Sequence, residues 1–452
     1  MTHALARQTN SAQVASLSFG LPPIDPLAVL LTLPEVEQHQ CYFESPSRGV
    51  AIAAWDAVMC EQFSGRDRFH RARQVLTRWQ AQVCAFPQRR EGPYFFCSFS
   101  FFETLQPAIA GFAPATILLT RWQVVRQHGR HALIANVLVQ PHTRLHALAR
   151  EVAQQVHQLA SFVPSARTLG SRHWAAGTPW HPRLAVQEGE VFQQGVRDAL
   201  AAIRARTIEK QVVAQVFDVT RSSPFTRTTA LPRLRSQYPD CYIFSFSGKG
   251  DRHFIGASPE RLLSIHQGRL VTDALAGSAP RGKTPERDRA IGQRLLNTHK
   301  EQQEHQLVLD FIIKRLEAEG LTPCYSTPPG LLRLSNIQHL HTPICAEVPS
   351  HISPLTLVES LHPTPAVAGV PTQAACERIR QVEAGDRGLY AAPLGWIDPY
   401  GNSEFIVGIR SALIHQNHAR LYAGAGIVAE SEPSQELAEI QLKLQALAQS
   451  LG

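Results

Sequence analysis

The chain lacks a run that could cross a membrane: nowhere among its 452 residues do 18 apolar residues follow one another. Residues 1–20 lack a basic stretch leading into a sustained apolar one, so no secretory signal and no membrane association are expected, and a cytoplasmic setting is. Cysteine is sparse. The eight present, at 41, 60, 84, 97, 241, 324, 345 and 376, never form a C-x-x-C pair, a scatter that suits neither a zinc site nor a disulfide framework. Charge of one sign is also scarce: Lys and Arg number 44 against 37 Asp and Glu, a net charge of +7. That balance favours anionic partners, but no basic block interleaved with aromatics marks a nucleic-acid groove, so no nucleic-acid partner is expected. With 44% apolar and 18% charged residues the chain is no disordered polyelectrolyte, and a folded enzyme is the default class.

What is present reads as mixed strands and helices. Residues 94–102, 116–126 and 132–139 are β-rich, with a turn at His128-Gly129. A Gly/Pro/Trp-rich stretch at 170–182 suggests a boundary between a sheet-rich part, 1–180, and a second region, 187–450. In the latter, Phe192, Val196, Ala199, Leu200 and Ile203 recur at helical spacing. A strand at 211–219, a hairpin at 242–265, a long helical stretch at 285–319, strands at 403–414 and 421–428 and a closing helix at 434–450 follow. Strands returning without regular βαβ alternation predict an α+β fold rather than a doubly wound sheet.

Several local patterns could carry chemistry. Glu436, Glu439 and Lys443 share one stripe of the closing helix beside the apolar stripe of Leu437, Ile440, Leu444 and Leu447. Glu301 and Glu304 repeat the E-x-x-E spacing on another helix. Two such pairs suit Mg²⁺, a hard ion that takes one or two carboxylates, waters and ligand oxygens, although a lone E-x-x-E is usually a solvated face. Gly424-Ala425-Gly426 permits a close backbone approach to a ligand. The segment 256–260 turns the chain after a strand and places Glu260 at a helix start or in a loop, and Lys210 immediately precedes an apolar strand.

In combination these patterns resemble the chorismate-utilising enzymes of menaquinone, siderophore and tryptophan biosynthesis. The resemblance rests on EKQVVAQ (209–215), IGASPERLL (255–263), LAGSAPRG (275–282), KEQQEHQLV (300–308), IQHLHTP (337–343), LHPTPAVAGVP (361–371), GWIDPYGNSEFIVGIR (395–410), YAGAGIVAESEP (422–433) and ELAEIQLK (436–443). It implies one large catalytic unit of orthogonally packed antiparallel sheets flanked by helices, with 1–180 as the more variable part of the same fold. It implies further that Lys210 is the general base that activates water, a role requiring a neutral amine, and that Glu260 is the general acid at the departing C4 hydroxyl. Glu304 and Glu439 match metal-binding acids, and Glu301 and Glu436 acids that hold metal-bound water, with Mg²⁺ locating the ring carboxylate. Arg410, the Gly424 backbone and Lys443 match the site of the enolpyruvyl carboxylate; Gly277, Ser278 and His339 match groups beside the ring carboxylate.

The same resemblance separates the family's members. Ammonia-using members typically carry glutamine where this chain has Lys210, and aminodeoxychorismate synthases carry a nucleophilic lysine where it has Ala276. Anthranilate synthases show a glycine-threonine step where Pro365-Ala366-Val367 stands, and their L-L-E-S segment is here Tyr42-Phe43-Glu44-Ser45. Water is thus the expected nucleophile, no glutamine amidotransferase subunit is expected, and the implied activity is isochorismate synthase. Salicylate synthase, which continues to pyruvate loss, and a non-catalytic chorismate-binding subunit are the alternatives. Ala366 and Val367 match the small and aliphatic pair of isochorismate synthases. Ala391-Ala392 departs from relatives that commonly place glycine second.

Overall fold

The computed structural model describes residues 13–35, 39–86, 92–105, 111–163, 186–334, 337–383 and 385–452; the boundary expected at 170–182 lies outside them. Among the described residues, ten α-helices flank twenty strands joined in one hydrogen-bonded network. Every pairing is antiparallel except that of Gln13–Gly20 with Val83–Phe86. The α+β class holds.

Local chemistry explains the elements. Phe95–Phe99 is buried at every position, so both faces need apolar residues, and it lies between Ala115–Gln127 and Pro393–Ile397. His128 and Gly129, at φ 48° and 76°, close the two-residue turn between Ala115–Gln127 and Arg130–Val139, the positive-φ pair such hairpins demand. Early and late parts of the chain interlock, since Cys41–Ser45 pairs with both Val50–Phe63 and Tyr242–Ser247. The closing helix, Pro433–Leu451, buries Ile440, Leu444 and Leu447 in a core shared with Phe192, Val196 and Ala199 of the helix Val186–Arg204. Leu437 of the expected apolar stripe is only partly buried there.

Three expected elements are divided. The helical stretch at 285–319 consists of two helices, Pro285–Asn297 and His299–Ala318, separated by Thr298 in an extended conformation (φ −81°, ψ 119°). A β-branched residue that accepts this geometry easily redirects the second helix. The strand at 403–414 is also two, Ser403–Val407 and Ser411–His415. The first pairs with Pro393–Ile397 and Arg261–His266, the second with Arg252–Ser258 and His418–Ile427. Likewise the hairpin expected at 242–265 ends at Ser258; Pro259-Glu260 then carries the chain to Arg261–His266, which joins different neighbours. Glu260 therefore opens no helix. It stands where the chain passes from one part of the network to another.

Candidate functional site

The two passages lie side by side. Val407 N–H donates to the Glu260 carbonyl (3.1 Å), Ala257 N–H to the Arg410 carbonyl (3.1 Å), and Ser258 Oγ to the Val407 carbonyl (2.6 Å). Both Glu260 and Arg410 line one cavity, and Arg410 Nη1 also donates to Cys241 Sγ (3.6 Å). Arg410 holds a left-handed φ of 48°, unusual for a residue with a β-carbon. Gly256 makes room for it, because a Cβ there would stand 2.7 Å from the Arg410 carbonyl oxygen. Glu260 is buried, and burial pushes its carboxyl up to about 7, with Lys210 opposing the rise and Asp273 adding to it.

Lys210 opens the strand Lys210–Thr220 and is 0% exposed, so it is no solvated strand-end lysine. Its Nζ lies 2.7 Å from Glu304 Oε1. Gly426, which pairs with Val212 on the neighbouring strand, is pressed against this pair: a Cβ would fall 2.8 Å from Glu304 Oε1 and 3.1 Å from Lys210 Cε. The glycine is needed for close approach of side chains from two elements.

All four glutamates of the E-x-x-E pairs line the same cavity. Glu301 Oε2 accepts from the Ser278 backbone N–H (3.0 Å), Glu436 faces Lys300 (3.6 Å), and Glu439 pairs with Lys443 (2.7 Å). Burial raises the Glu301 and Glu436 carboxyls, and the neighbouring glutamates add to both shifts. For Glu439 burial also pushes upward, but Lys443 outweighs it and the carboxyl sits below its usual range. Among the described residues no three His, Cys, Asp or Glu side chains form a preassembled metal cage. The donor set nonetheless fits a hard divalent cation: only carboxylate oxygens, on two helices, facing one cavity.

The rest of the wall carries Arg410, Lys443 and a buried histidine. Lys443 Nζ donates to the Gly424 carbonyl (2.9 Å), which ties the closing helix to the strand His418–Ile427. Ser278 Oγ and His339 Nδ1 are 2.8 Å apart, and His339 Nε2 is buried without a partner. Burial, reinforced by Arg410 and Lys443, drives the His339 imidazole down to about 3, so it is neutral. Gly277 takes φ 77°, and a Cβ there would lie 3.0 Å from Glu301 Oε2. Ala366 and Val367 also line the cavity. Thirteen of the fourteen residues singled out in the sequence thus line one cavity, and the fourteenth, Lys210, stands behind its wall, 2.7 Å from Glu304.

Other residues of the site carry no pattern in the sequence. Tyr390 lines the cavity and stacks on Tyr422 (5.1 Å between ring centroids, 9° between planes). Arg387, fully buried and paired with Glu383, donates to the Val367 carbonyl (2.6 Å) and so fixes the wall that Val367 forms. Lys300 stood within a quoted segment, but only the fold shows that it faces Glu436. At Ala391-Ala392 the left-handed residue is Ala391 (φ 60°), not Ala392, which is buried and accepts from Gly408 N–H (2.9 Å).

Comparison with known proteins points one way. The family described as chorismate binding enzyme matches residues 1–452. The salicylate biosynthesis isochorismate synthase of Pseudomonas aeruginosa is 35% identical over 450 residues, which cover 97% of this chain and 90% of that protein. Isochorismate synthase MenF of Bacillus subtilis is 39% identical over 259 residues, 57% of this chain and 55% of that one. Among solved structures, the menaquinone-specific isochorismate synthase of Escherichia coli aligns with a TM-score of 0.78 at 26% identity, covering 100% of this chain and 98% of that one.

Proposed function

The chain belongs to the chorismate-binding enzymes, and from that premise we propose that it converts chorismate to isochorismate. The observation that carries the reading is one cavity lined by a buried carboxyl held near neutrality, Glu260, and by Arg410 and Lys443, with the buried amine of Lys210 against its wall at Glu304. Chorismate has two carboxylates and a ring hydroxyl that must leave. Arg410 and Lys443 suit the enolpyruvyl carboxylate, and Gly277, Ser278 and the neutral His339 suit the ring end. Lys210 takes a proton from a water that adds at C2, both double bonds of the ring diene shift by one position, and Glu260 gives its proton to the C4 hydroxyl, which departs as water. One water enters and one leaves, so the reaction is an isomerisation.

For Lys210 to act as base, the proton it shares with Glu304 must first pass on. Glu304 and Glu439 would hold Mg²⁺ directly and Glu301 and Glu436 through water; the ion, when bound, would supply charge neutralisation for the ring carboxylate. Release of isochorismate is supported by the relatives' names and by the small, aliphatic wall of Ala366 and Val367. Purified protein incubated with chorismate and Mg²⁺, followed by chromatography, tests the reading. Isochorismate without stoichiometric pyruvate is the expected result. Salicylate and pyruvate formed in step with chorismate loss would make it a salicylate synthase, and unchanged chorismate would make it a binding subunit.

A further inference from the structure

Behind Glu260 lies an ion network that the reaction as written does not use. Arg261 Nη2 is 2.7 Å from Asp273 Oδ2, and the other oxygen, Oδ1, is 2.8 Å from His341 Nε2. The three residues come from three adjacent strands, Arg261–His266, Arg269–Pro280 and Ile337–Glu347, whose antiparallel register brings them together. Asp273 is thus clamped from both sides. Its side chain is 13% exposed, and although burial pushes the carboxyl up, His341 and Arg261 outweigh burial and keep it ionised.

A fixed anion beside a buried carboxyl opposes a second ionisation. Glu260 is faced by Lys210 from the strand Lys210–Thr220, by Asp273 from Arg269–Pro280 and by the Tyr390 phenol, which burial keeps protonated. Lys210 is itself engaged by Glu304. Arg261 is faced in turn by Asp273, Tyr242 and Glu404. Lys210 favours the carboxylate form of Glu260, and Asp273 works against it.

We propose that Asp273, held by Arg261 and His341, is a positioning residue that keeps Glu260 in its acid form, with Arg261 setting how much of the Asp273 charge Glu260 feels. The inference rests on Glu260 being the general acid. It predicts opposite responses from two neighbouring substitutions. A general acid must be protonated, so kcat/KM falls on the basic side as Glu260 ionises. Asp273→Asn removes the anion and leaves the Arg261 charge uncompensated, so the basic limb moves to lower pH by about 0.5–1 unit. Arg261→Gln leaves Asp273 less neutralised and moves the limb to higher pH. Asp273→Glu retains the charge and leaves the limb in place.

The measurement is the pH profile of kcat/KM for these three variants beside wild type and Glu260→Gln. A limb that stays put in Asp273→Asn while the rate drops equally at all pH values overturns the proposal and reduces the network to a structural brace. If Arg261→Gln does not fold, the contrast between Asn and Glu at position 273 decides. Wild-type turnover in Glu260→Gln would instead remove the general acid itself, and this inference with it; loss of turnover in Glu260→Gln with an unmoved limb in Asp273→Asn removes only the inference.

Discussion

A carboxyl held near pH 7 inside a protein weakens the fold that holds it. The folded value of Glu260, about 7, lies above the ordinary 4.5, so between these values the native state binds more protons than the unfolded chain. Stability therefore declines as pH rises through this window, and the full penalty is present above pH 7. Glu260→Gln should raise unfolding stability at pH 8 by roughly 2–3 kcal/mol and change little at pH 4, while turnover falls by about 10²- to 10⁴-fold. Urea titrations at both pH values together with an isochorismate assay check this; lower stability at pH 8 would contradict the burial argument. Lys210→Ala should abolish turnover and leave chorismate binding by calorimetry largely intact, because Arg410 and Lys443 are untouched. Ala391 is strained by its positive φ, so Ala391→Gly should raise stability by about 0.5–1 kcal/mol, read as a higher melting temperature.

Two helices and one strand meet where the acids gather. Thr298 redirects the helix His299–Ala318 so that Glu301 and Glu304 face Glu436 and Glu439 of Pro433–Leu451 across one cavity. If these carboxylates hold Mg²⁺, EDTA should abolish activity and Mg²⁺ restore it, and Glu304→Ala or Glu439→Ala should weaken Mg²⁺ binding and turnover together. Full activity after exhaustive chelation would reject the metal. The strand contributes closeness rather than charge. Gly426→Ala places a methyl against both Glu304 and Lys210, so turnover should fall by about 10- to 100-fold, as expected when a catalytic group is misplaced by an ångström. Unchanged kinetics in a folded Gly426→Ala protein would show that the Lys210–Glu304 contact has slack.

At the level of the whole chain, the residues lining the site all fall between Val212 and Lys443, but the strands beneath them pair with strands from the first hundred residues. Phe95–Phe99 fills a central place between Ala115–Gln127 and Pro393–Ile397, and Cys41–Ser45 covers the edge of Tyr242–Ser247. A fragment of residues 187–452 would expose these edges and the aromatic core beneath them, so it should aggregate or stay partly unfolded, whereas the full chain should unfold in one transition by circular dichroism and fluorescence alike. A fragment with native-like cooperative melting would contradict that view.

The amino-acid order alone determined the residue types and their local spacing: E-x-x-E on helices, a lysine before an apolar strand, glycines beside it, and the ordered segments that resemble the chorismate-utilising enzymes. Spacing along one element is a local property, set by 3.6- and 2-residue periods, and it can be read without the fold. Tertiary structure alone decided that Glu260 and Arg410 stand at adjacent passages between strands, that Lys210 is wholly buried against Glu304, and that Tyr390, Arg387 and Asp273 belong with them. These relations depend on which strands pair between segments far apart in the chain, and so do the burial and neighbouring charges that set whether a side chain holds its proton.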